Sequence, residues 1–429
     1  MTRVLVVTQD SLGAEMGGNA IRAWELAGVL ARHATVKLAG PGATPPLPSG
    51  LRHVSVDPAH PRGLLPHIRD ADFVVTVPQS AAVSGWLRRA HARVVYDLYD
   101  PHVLELLDSS PDPRFPRGGI SRTIALDQLL GALHGGHHFL CATERQRDLW
   151  IGAMLANRLL TPSVYRRDPT LRSVIDVVPF GVSERAPDRL AGVGPRDRFP
   201  AIGPEDEIVL WNGGIWNWLD PETAIRAVAD LADRRPGVRL VFMGRPPAQA
   251  GMAKAATAAR ALAARLGLLE EVVFFNDRWV PYRERDAWLL DANCALSTHG
   301  DDLESRFAFR TRLLDCFWAG LPVVCTAGDE LGSRVAGDDL GVSVPPGDVA
   351  AAADGLEHVL ERGRAAYASQ LASVAAEYSW SSVAAPLIRY VSSPSAGPPL
   401  GHHTTARLVD PARRTRSAAI RLGRRILFR

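Results

Sequence analysis

The sequence predicts an α/β protein with two domains, each built on its own parallel β-sheet. Short apolar segments typical of buried strands alternate with segments of helical periodicity, which is the order that produces a doubly wound parallel sheet. This alternation is interrupted once, at residues 183–203, where glycine, proline and charged residues indicate an interdomain linker. The length of 429 residues also exceeds that of one ordinary domain.

The first half predicts a series of strands and a glycine loop. The strands are expected at 3–8, 36–39, 72–76, 93–97, 138–142 and 173–179. Gly17 and Gly18 end the loop after the first strand, and a helix is predicted over 20–33. A strand, a glycine loop and a helix allow backbone amides to approach a phosphate, although a plain tight turn explains the glycine pair equally well.

The second half repeats this order and completes the predicted division of the chain. Strands are expected at 207–211, 239–244, 271–275, 294–297, 323–325 and 341–344, with helices at 221–235 and 250–266. The predicted parts are a first domain at 1–185 joined by a late helix at 378–392, a linker at 186–203, a second domain at 204–377 and a basic tail at 393–429.

Mixed charge is concentrated in one predicted βαβ unit at residues 299–326. A polar loop follows a buried strand there, and a helix, the turn Gly320-Leu321-Pro322 and a second buried strand come next. The loop and the start of the helix carry Asp301, Asp302, Glu304, Arg306, Arg310 and Arg312. Because such units bind ligands at the carboxyl ends of their strands, we expect a binding site here.

Composition excludes several classes of protein. No apolar run approaches the roughly 18 residues of a membrane helix, and the N-terminus turns polar after four apolar residues, unlike a signal peptide. The four cysteines lack metal-ligand spacing, so buried free thiols in a reducing cytoplasm are expected. No Asp-x-Asp signature follows a strand, and we therefore expect no required divalent ion.

Four motifs together resemble a known family. They are Gly17-Gly18 with Ile21-Arg22, the segment VVPFGV at 177–182, the segment MGRP at 243–246, and the segment DCFWAGLPVV at 315–324. Over about residues 1–392 the chain resembles the GT-B glycosyltransferases, specifically the glycogen-synthase-like family 4. The resemblance implies two Rossmann-like domains facing a cleft, with a C-terminal helix that crosses back to the first domain.

The resemblance also implies an activity. Such enzymes transfer a sugar from a nucleotide-diphosphate donor, held by the second domain, to an acceptor presented by the first, with retention of anomeric configuration and without a cofactor. By position, Asp315 would hold the ribose hydroxyls. Donor-binding positions would also include the glycines Gly17, Gly18, Gly213, Gly214 and Gly244.

This sequence departs from the family pattern where the donor should bind. Phe307 stands where the family has a second glutamate, and Glu304 is the nearest glutamate. The loop after Trp211 lacks the arginine and the lysine that usually neutralise the donor diphosphate. We therefore hypothesise that Arg310 and Arg312 replace these cations, since guanidinium groups bind phosphate oxygens in pairs. The alternative is that one of these arginines pairs structurally with an aspartate of the loop, Asp301 or Asp302.

Further candidates lie at predicted strand ends. Asp97 or His102 would orient the acceptor hydroxyl or take its proton, with Glu105 as a weaker candidate, although an Asp/Pro turn with an exposed histidine explains the same stretch. His299 would reach the donor sugar, and Asp277 would contact the nucleotide base. Three tryptophans near Gly213 would stack on a ligand or pack in the core, namely Trp211, Trp216 and Trp218.

The tail has two interpretations. From Leu400 onward it carries eight arginines and one aspartate, although the whole chain has a net charge of only +3. A helix with Arg414, Arg421 and Arg425 on one face would suit an anionic membrane surface, and a disordered solubilising tail is the alternative. The acidic remainder argues against a nucleic-acid partner. The expected location is the cytoplasm, with peripheral contact at the inner face of the membrane as an extension.

The sequence leaves alternatives for the function itself. The acceptor would be a cell-surface glycan, a lipid-linked sugar or a small-molecule glycoside, and the donor sugar and nucleobase are not specified by any motif. A non-catalytic protein that binds sugar nucleotides is one alternative, because the usual cations are missing. A nucleotide-sugar epimerase of the same fold is another.

Overall fold

The computed structural model describes residues 2–43, 50–108, 116–244, 254–394 and 400–403. The described residues of the first domain form a parallel seven-stranded sheet in the order β3-β2-β1-β4-β5-β6-β7. Its strands are β1 (Arg3–Val7), β2 (Thr35–Gly40), β3 (Leu51–Ser55), β4 (Phe73–Thr76), β5 (Arg93–Asp97), β6 (His138–Cys141) and β7 (Ile175–Val177). Its helices are α1 (Gly18–Leu30), α2 (Leu65–Asp70), α3 (Ala81–Leu87), α4 (His102–Asp108), α5 (Pro116–Gly135), α6 (Glu144–Ala156) and α7 (Pro162–Arg167).

The second domain contains a parallel six-stranded sheet in the order β10-β9-β8-β11-β12-β13. Its strands are β8 (Glu207–Trp211), β9 (Val238–Phe242), β10 (Val273–Phe275), β11 (Cys294–Ser297), β12 (Val323–Thr326) and β13 (Gly341–Val344). The linker and second-domain helices are α8 (Pro195–Arg198), α9 (Pro221–Arg234), α10 (Lys254–Arg265), α11 (Arg285–Asp291), α12 (Leu303–Phe307), α13 (Thr311–Trp318), α14 (Glu330–Gly337), α15 (Val349–Arg362) and α16 (Ala368–Glu377).

Both sheets are wound outward from a central strand, and this winding places the binding edge. The chain begins at β1 and β8, proceeds to one side, and then crosses to the other side through β4 and β11. Ligands of open parallel sheets bind at such a reversal point, beyond the carboxyl ends of the strands. The loops that follow β1 and β8 lie at these reversal points, and they carry the predicted glycine pairs.

The two last helices cross back to the first domain, as the resemblance implied. They are α17 (Trp380–Val383) and α18 (Ala385–Ser392). The Trp380 ring packs 4.9 Å from Phe180, and Tyr390 stacks on His138 at 4.2 Å between centroids. The backbone N–H of Val182 donates to the carbonyl of Tyr378 at 2.8 Å. The segment from Tyr378 to Ser392 is thereby anchored on the first domain.

The differences from the predicted elements have simple causes. Strand β3 was not predicted, because it is an edge strand whose residues are mostly half-exposed or exposed and polar. The segment predicted as a linker contains the short helix α8, which begins with Pro195 after an N-cap glycine. The helix predicted at 250–266 is observed over Lys254–Arg265, and its first four residues lie outside the described residues.

The tail helix also lies outside the described residues, so its prediction stays open. Within the described ranges, no helix combines the length and apolar character needed to cross a membrane. The four cysteines are free and buried, as predicted from their spacing.

Candidate functional site

A cavity of about 500 Å³ lies between the two domains, where the carboxyl ends of the sheets face each other. The first domain contributes the start of α1 and Phe180, and the second contributes the loops after β8, β9 and β10 together with α13. Several residues singled out from the sequence line it: Gly17, Gly18, Gly213, Gly214, Trp216, Gly244, Arg312 and Asp315.

The start of α1 offers backbone N–H groups to this cavity. Gly17 caps the helix without a side-chain hydrogen bond, so the first N–H groups have no side-chain partner there. No atom lies within 4 Å of the position that a Cβ atom would take at Gly17. A helix N-terminus with open space in front of it favours an anion, because the backbone dipoles point their positive end outward.

Close contact between two loops explains the glycines of the second domain. Gly213 has a φ of +101°, in the region that favours glycine. A Cβ atom at Gly244 would lie 2.3 Å from the carbonyl oxygen of Gly213, well inside contact distance. The loops after β8 and β9 therefore approach each other because both positions lack a side chain.

Arg312 lies at the wall of the cavity with a free donor. Its Nη2 donates to the carbonyl of Gly214 at 2.8 Å, and its guanidinium carbon lies 5.4 Å from the centroid of the Trp211 ring. Its Nη1 is buried and has no hydrogen-bond partner among the described residues. Burial and the nearby charge of Arg310 lower the pKa of Arg312 to about 9. The arrangement suits a phosphate oxygen.

Arg310 is occupied elsewhere. Its Nη1 and Nη2 donate to the two carboxylate oxygens of Glu304 at 3.1 and 2.6 Å, and Nη2 also donates to Ser305 Oγ at 3.1 Å. Its Nε lies 3.7 Å from Asp329 Oδ2. Among the described residues its carboxylate partners are thus Glu304 and Asp329, not the predicted Asp301 or Asp302. The structure separates the two arginines that the sequence suggested as a pair.

Two further predicted residues of this loop, His299 and Glu304, belong to the same buried ionic cluster. His299 is 2% exposed, with its Nε2 3.4 Å from Asp329 Oδ2 and its Nδ1 2.8 Å from the carbonyl of Gly300. Burial raises the pKa of Glu304, and the charge of Arg310 opposes that rise. Neither His299 nor Glu304 lines the cavity.

Asp315 faces the cavity and is paired with an arginine that the sequence did not reveal. Arg285 Nη2 lies 3.3 Å from Asp315 Oδ1, and the Arg285 guanidinium lies 3.7 Å from the centroid of the Tyr282 ring. Burial raises the pKa of Asp315, whereas the charge of Arg285 opposes the rise. No motif could have indicated this pair, because thirty positions separate its members along the chain.

Of the residues predicted to act on the acceptor, Asp97 is engaged in hydrogen bonds with an arginine. Both oxygens of Asp97 accept from Arg22, at 2.6 Å from Nε and 3.0 Å from Nη2, and Arg22 also donates to the carbonyls of Val178 and Pro179. Arg22 therefore connects two family motifs, the one at its own position and the one at 177–182, and Asp97 holds its guanidinium in place. Both carboxylate oxygens of Asp97 are thus engaged by Arg22, and the role of Asp97 in orienting the acceptor hydroxyl or taking its proton stays a prediction.

Asp100 and His102 follow strand β5, and neither lines the cavity. His102 is exposed, and its Nδ1 lies 3.0 Å from Glu105 Oε2, a contact that raises the pKa of His102. Burial, and after it the charge of Glu105, raises the pKa of Asp100 to about 8. Asp100 was missed in the sequence because its signal, an acid after a strand, was assigned to Asp97 instead.

Asp277 and the tryptophans complete the comparison with the predictions. Asp277 is exposed, pairs with Arg260 at 2.6 Å and does not line the cavity; Trp279 does. Trp211 is fully buried in the core, as the packing alternative proposed. Trp216 reaches the cavity and stacks on Trp218 at 5.4 Å between centroids. In the part of the chain that the structure describes, no group of three or more potential metal ligands is present.

The second domain matches the model of a known family. Residues 206–362 match the model of the family described as glycosyl transferases group 1. Over these residues the second domain is similar to that family. The resemblance drawn from the motifs at Met243 and Asp315 is thereby confirmed, since both lie inside the matched residues.

Two curated proteins match this chain over part of their length. It is 31% identical over 261 residues to the D-inositol 3-phosphate glycosyltransferase of Mycolicibacterium smegmatis, covering 60% of this chain and 54% of that protein. It is 28% identical over 233 residues to the protein of the same name from Mycobacteroides abscessus, covering 53% of this chain and 47% of that protein. The chain spans about half the length of these relatives.

Solved structures confirm the predicted GT-B fold. WaaG, a glycosyltransferase involved in lipopolysaccharide biosynthesis, matches with a TM-score of 0.63 and 16% identity, covering 91% of this chain and 100% of that one. Anabaena HepE, solved in complex with UDP-glucose, matches with a TM-score of 0.63 and 14% identity, covering 92% of this chain and 100% of that one. At these identities the likeness establishes the fold alone.

Proposed function

We propose that this protein transfers a sugar from a nucleotide-diphosphate donor to an acceptor hydroxyl, with the donor held in the interdomain cavity. The observation that carries the proposal is the placement of Arg312 and Asp315. They are three positions apart on α13, which puts them on one face of the helix, and both line the cavity opposite the N-terminus of α1. A carboxylate beside a cation and free amides is complementary to a ribose beside a diphosphate.

The leaving group determines what the site must supply. A nucleoside diphosphate departs with negative charge, and stabilising that charge is the main electrostatic requirement of the reaction. Arg312 provides one cation with an unpartnered Nη1, and α1 provides the N–H groups at Gly17 and Gly18. We propose that these groups replace the missing family cations without a metal ion. Arg310 contributes by holding Glu304 and the start of α13 in place.

The acceptor is proposed to bind at the first domain near Asp100 and His102. The matched curated relatives are named for D-inositol 3-phosphate, which makes a phosphorylated polyol one acceptor to test beside glycans, lipid-linked sugars and small glycosides. His102 is exposed and paired with Glu105, so it can exchange a proton with an acceptor hydroxyl. The resemblance to family 4 supports retention of configuration at the anomeric carbon.

The test is turnover that depends on an acceptor. The full chain is incubated with UDP-glucose and with a panel of other nucleotide sugars, with and without D-inositol 3-phosphate and the other acceptors. We expect nucleoside diphosphate to be released at a rate that rises with acceptor concentration. Rearrangement of the donor sugar without acceptor would instead identify an epimerase. Binding of the donor with no turnover under any condition would identify a non-catalytic sugar-nucleotide-binding protein.

The basic tail is proposed to attach the protein to an anionic membrane surface. The support is its excess of arginine, since each basic residue near such a surface contributes about 1 kcal/mol. Sedimentation with vesicles containing anionic lipid should retain the full chain and release a variant truncated after Thr404. Equal sedimentation of the two proteins would contradict this role for the tail.

A further inference from the structure

A continuous series of side-chain contacts crosses the cleft from the first domain to Asp315. Glu25 on α1 accepts a hydrogen bond from the Tyr282 hydroxyl at 3.0 Å. The ring of Tyr282 lies against the guanidinium of Arg285 at 3.7 Å from its centroid. Arg285 Nη2 then lies 3.3 Å from Asp315 Oδ1. Glu25 and Asp315 belong to different domains, and Tyr282 and Arg285 connect them.

The link between the domains at Tyr282 involves more than its hydroxyl. The backbone N–H of Tyr282 donates to the carbonyl of Ala14 at 3.2 Å, and the Trp24 ring meets its ring edge-on at 6.4 Å. Burial raises the pKa of Tyr282 well above its usual value, so the phenol stays protonated and donates. Burial likewise raises the pKa of Glu25, and the bond from Tyr282 opposes that rise. These groups are desolvated because the domains are closed around them.

Arg285 is held in this series as an incompletely satisfied cation. It is 7% exposed, and its Nε has no hydrogen-bond partner among the described residues. The rings of Tyr282 and Trp318 lie on it at 3.7 and 5.4 Å, contacts that favour a cation over a neutral group. Its position therefore depends on Tyr282 as much as on Asp315. A displacement of Tyr282 or of Asp315 is therefore expected to displace Arg285.

The charge of Arg285 favours the ionised form of the carboxylate that faces the cavity. Burial disfavours the ionised form of Asp315, and Arg285 counters that effect. An ionised carboxylate accepts hydrogen bonds on both oxygens, as two ribose hydroxyls require, whereas a protonated one uses part of its capacity as a donor. The pair is stronger when water is excluded, because the effective dielectric constant is lower.

We propose that Tyr282 and Arg285 are positioning residues that couple nucleotide binding at Asp315 to closure of the domains at Glu25. The inference rests on the proposed donor site and adds how occupancy of that site is transmitted. A ribose bound to Asp315 holds Arg285 and with it the Tyr282 ring in place, which strengthens the hydrogen bond from the Tyr282 hydroxyl to Glu25. Because such coupling is reciprocal, closure at Glu25 also strengthens binding of the ribose.

A double-mutant cycle between the two ends tests this coupling. Affinities for UDP, GDP and ADP are measured by titration calorimetry, and the tightest ligand is carried forward. Glu25→Gln should weaken binding to the otherwise unchanged protein about fivefold, a coupling at the low end of the usual allosteric range. In the Asp315→Asn background the same change should cost less than about twofold, because the series is already broken. Tyr282→Phe should match Glu25→Gln and add nothing to it.

A second bond across the cleft provides the matched control. Arg145 Nη1 donates to the carbonyl of Gly328 at 2.8 Å, joining α6 to the loop after β12. Arg145→Ala removes this bond and leaves the series from Glu25 to Asp315 intact. It should therefore change affinity by the same factor in the presence and absence of Asp315→Asn.

Small-angle scattering supplies a readout that a purely structural role would not move. The radius of gyration of the wild type should fall when the nucleotide is added, and that of Tyr282→Phe should fall less, although the two proteins agree without nucleotide. If Glu25→Gln costs the same factor in both backgrounds, the coupling is disproved and the proposed function stands. If the wild type binds none of the three nucleotides, the proposed function and this inference both fail.

Discussion

Arg312 and Arg310 show how two similar residues two positions apart acquire different tasks. The side chain of Arg310 donates two hydrogen bonds to Glu304, whereas that of Arg312 retains an unpartnered Nη1 beside the cavity. We therefore expect Arg312→Gln to weaken nucleoside diphosphate binding by about 10- to 100-fold, the value of a charge-assisted hydrogen bond. Binding of the nucleoside monophosphate should weaken less. Titration calorimetry with both ligands measures the difference.

Arg306 is the matched control for Arg312. It is an exposed arginine on the neighbouring helix α12 and does not line the cavity. Arg306→Gln removes the same charge from the protein and should leave both affinities unchanged. Equal losses in the two variants would mean that the general field of the domain, not the position of Arg312, attracts the phosphate.

The pKa of Asp100 predicts a dependence of stability on pH. Burial and the charge of Glu105 raise this pKa from its usual value to about 8, so folding favours the protonated carboxyl. The associated stability is present at low pH and is lost as pH rises through about 8. The free energy of unfolding should fall between about pH 6 and pH 9, and should fall less in Asp100→Asn, as urea titrations would measure.

Asp148→Asn provides the reference for that measurement. Asp148 is an exposed aspartate on α6. Its replacement should change the unfolding free energy by the same amount at both pH values. A wild-type protein that is as stable at the higher pH as at the lower one would contradict the assignment of Asp100.

At the residue scale, the sequence predicted positions better than partners. Asp315, Arg312 and the glycines of the cavity were found because motifs and strand ends mark the binding edge of a parallel sheet. The partner of Asp97, which is Arg22, and the partner of Asp315, which is Arg285, could not be found that way. Such pairs depend on which side chains of distant segments meet, and a single sequence carries no signal for that.

At the scale of elements, the loops after β8 and β9 can approach each other because each has a glycine at the point of contact, Gly213 and Gly244. Together they form the floor of the proposed donor site. Gly244→Ala would place a methyl group 2.3 Å from the Gly213 carbonyl oxygen, so the backbone would have to move. Overpacking of this kind costs about 1–3 kcal/mol. We expect a lower unfolding midpoint in urea and weaker nucleotide binding in the same variant.

Gly152→Ala tests whether that loss is due to the contact. Gly152 is an exposed position within helix α6, and nothing lies within 4 Å of its Cβ position. Alanine there should stabilise the protein by about 0.5–1 kcal/mol, because glycine loses more backbone entropy in a helix. A Gly244→Ala variant that is as stable as the wild type would show that the two loops are not in close contact.

Most elements were predictable for one reason: the strands are buried on both faces. Strands such as β1, β4 and β8 are continuous apolar runs, which is the pattern of a covered parallel sheet. Strand β3 was not predicted because its sequence LRHVS mixes polar and apolar residues at a sheet edge. The boundary of α1 shifted because a glycine N-cap gives a weaker start signal than serine, threonine or aspartate.

At the scale of the molecule, the stability of the first domain depends on the two returning helices, α17 and α18. Trp380 is 2% exposed and packs on Phe180 in the segment that leaves the first domain. Trp380→Ala should therefore destabilise the protein by about 3–5 kcal/mol, the cost of removing a large buried ring. Calorimetry should show the transition of the first domain at a lower temperature.

Leu155→Ala is the control for this effect. Leu155 is a large apolar residue of the first domain that is 58% exposed. Its truncation removes little packing and should change stability by less than about 0.5 kcal/mol. Comparable shifts in the two variants would contradict the anchoring role of Trp380.

The central claim is that the interdomain cavity binds the donor nucleotide. A crystal structure of the protein with a nucleoside diphosphate tests it most directly. The ribose hydroxyls should lie within hydrogen-bond distance of the Asp315 carboxylate, with the diphosphate between Arg312 Nη1 and the N–H groups at Gly17 and Gly18. A nucleotide bound outside the cavity, or inside it with its ribose away from Asp315, would contradict the account.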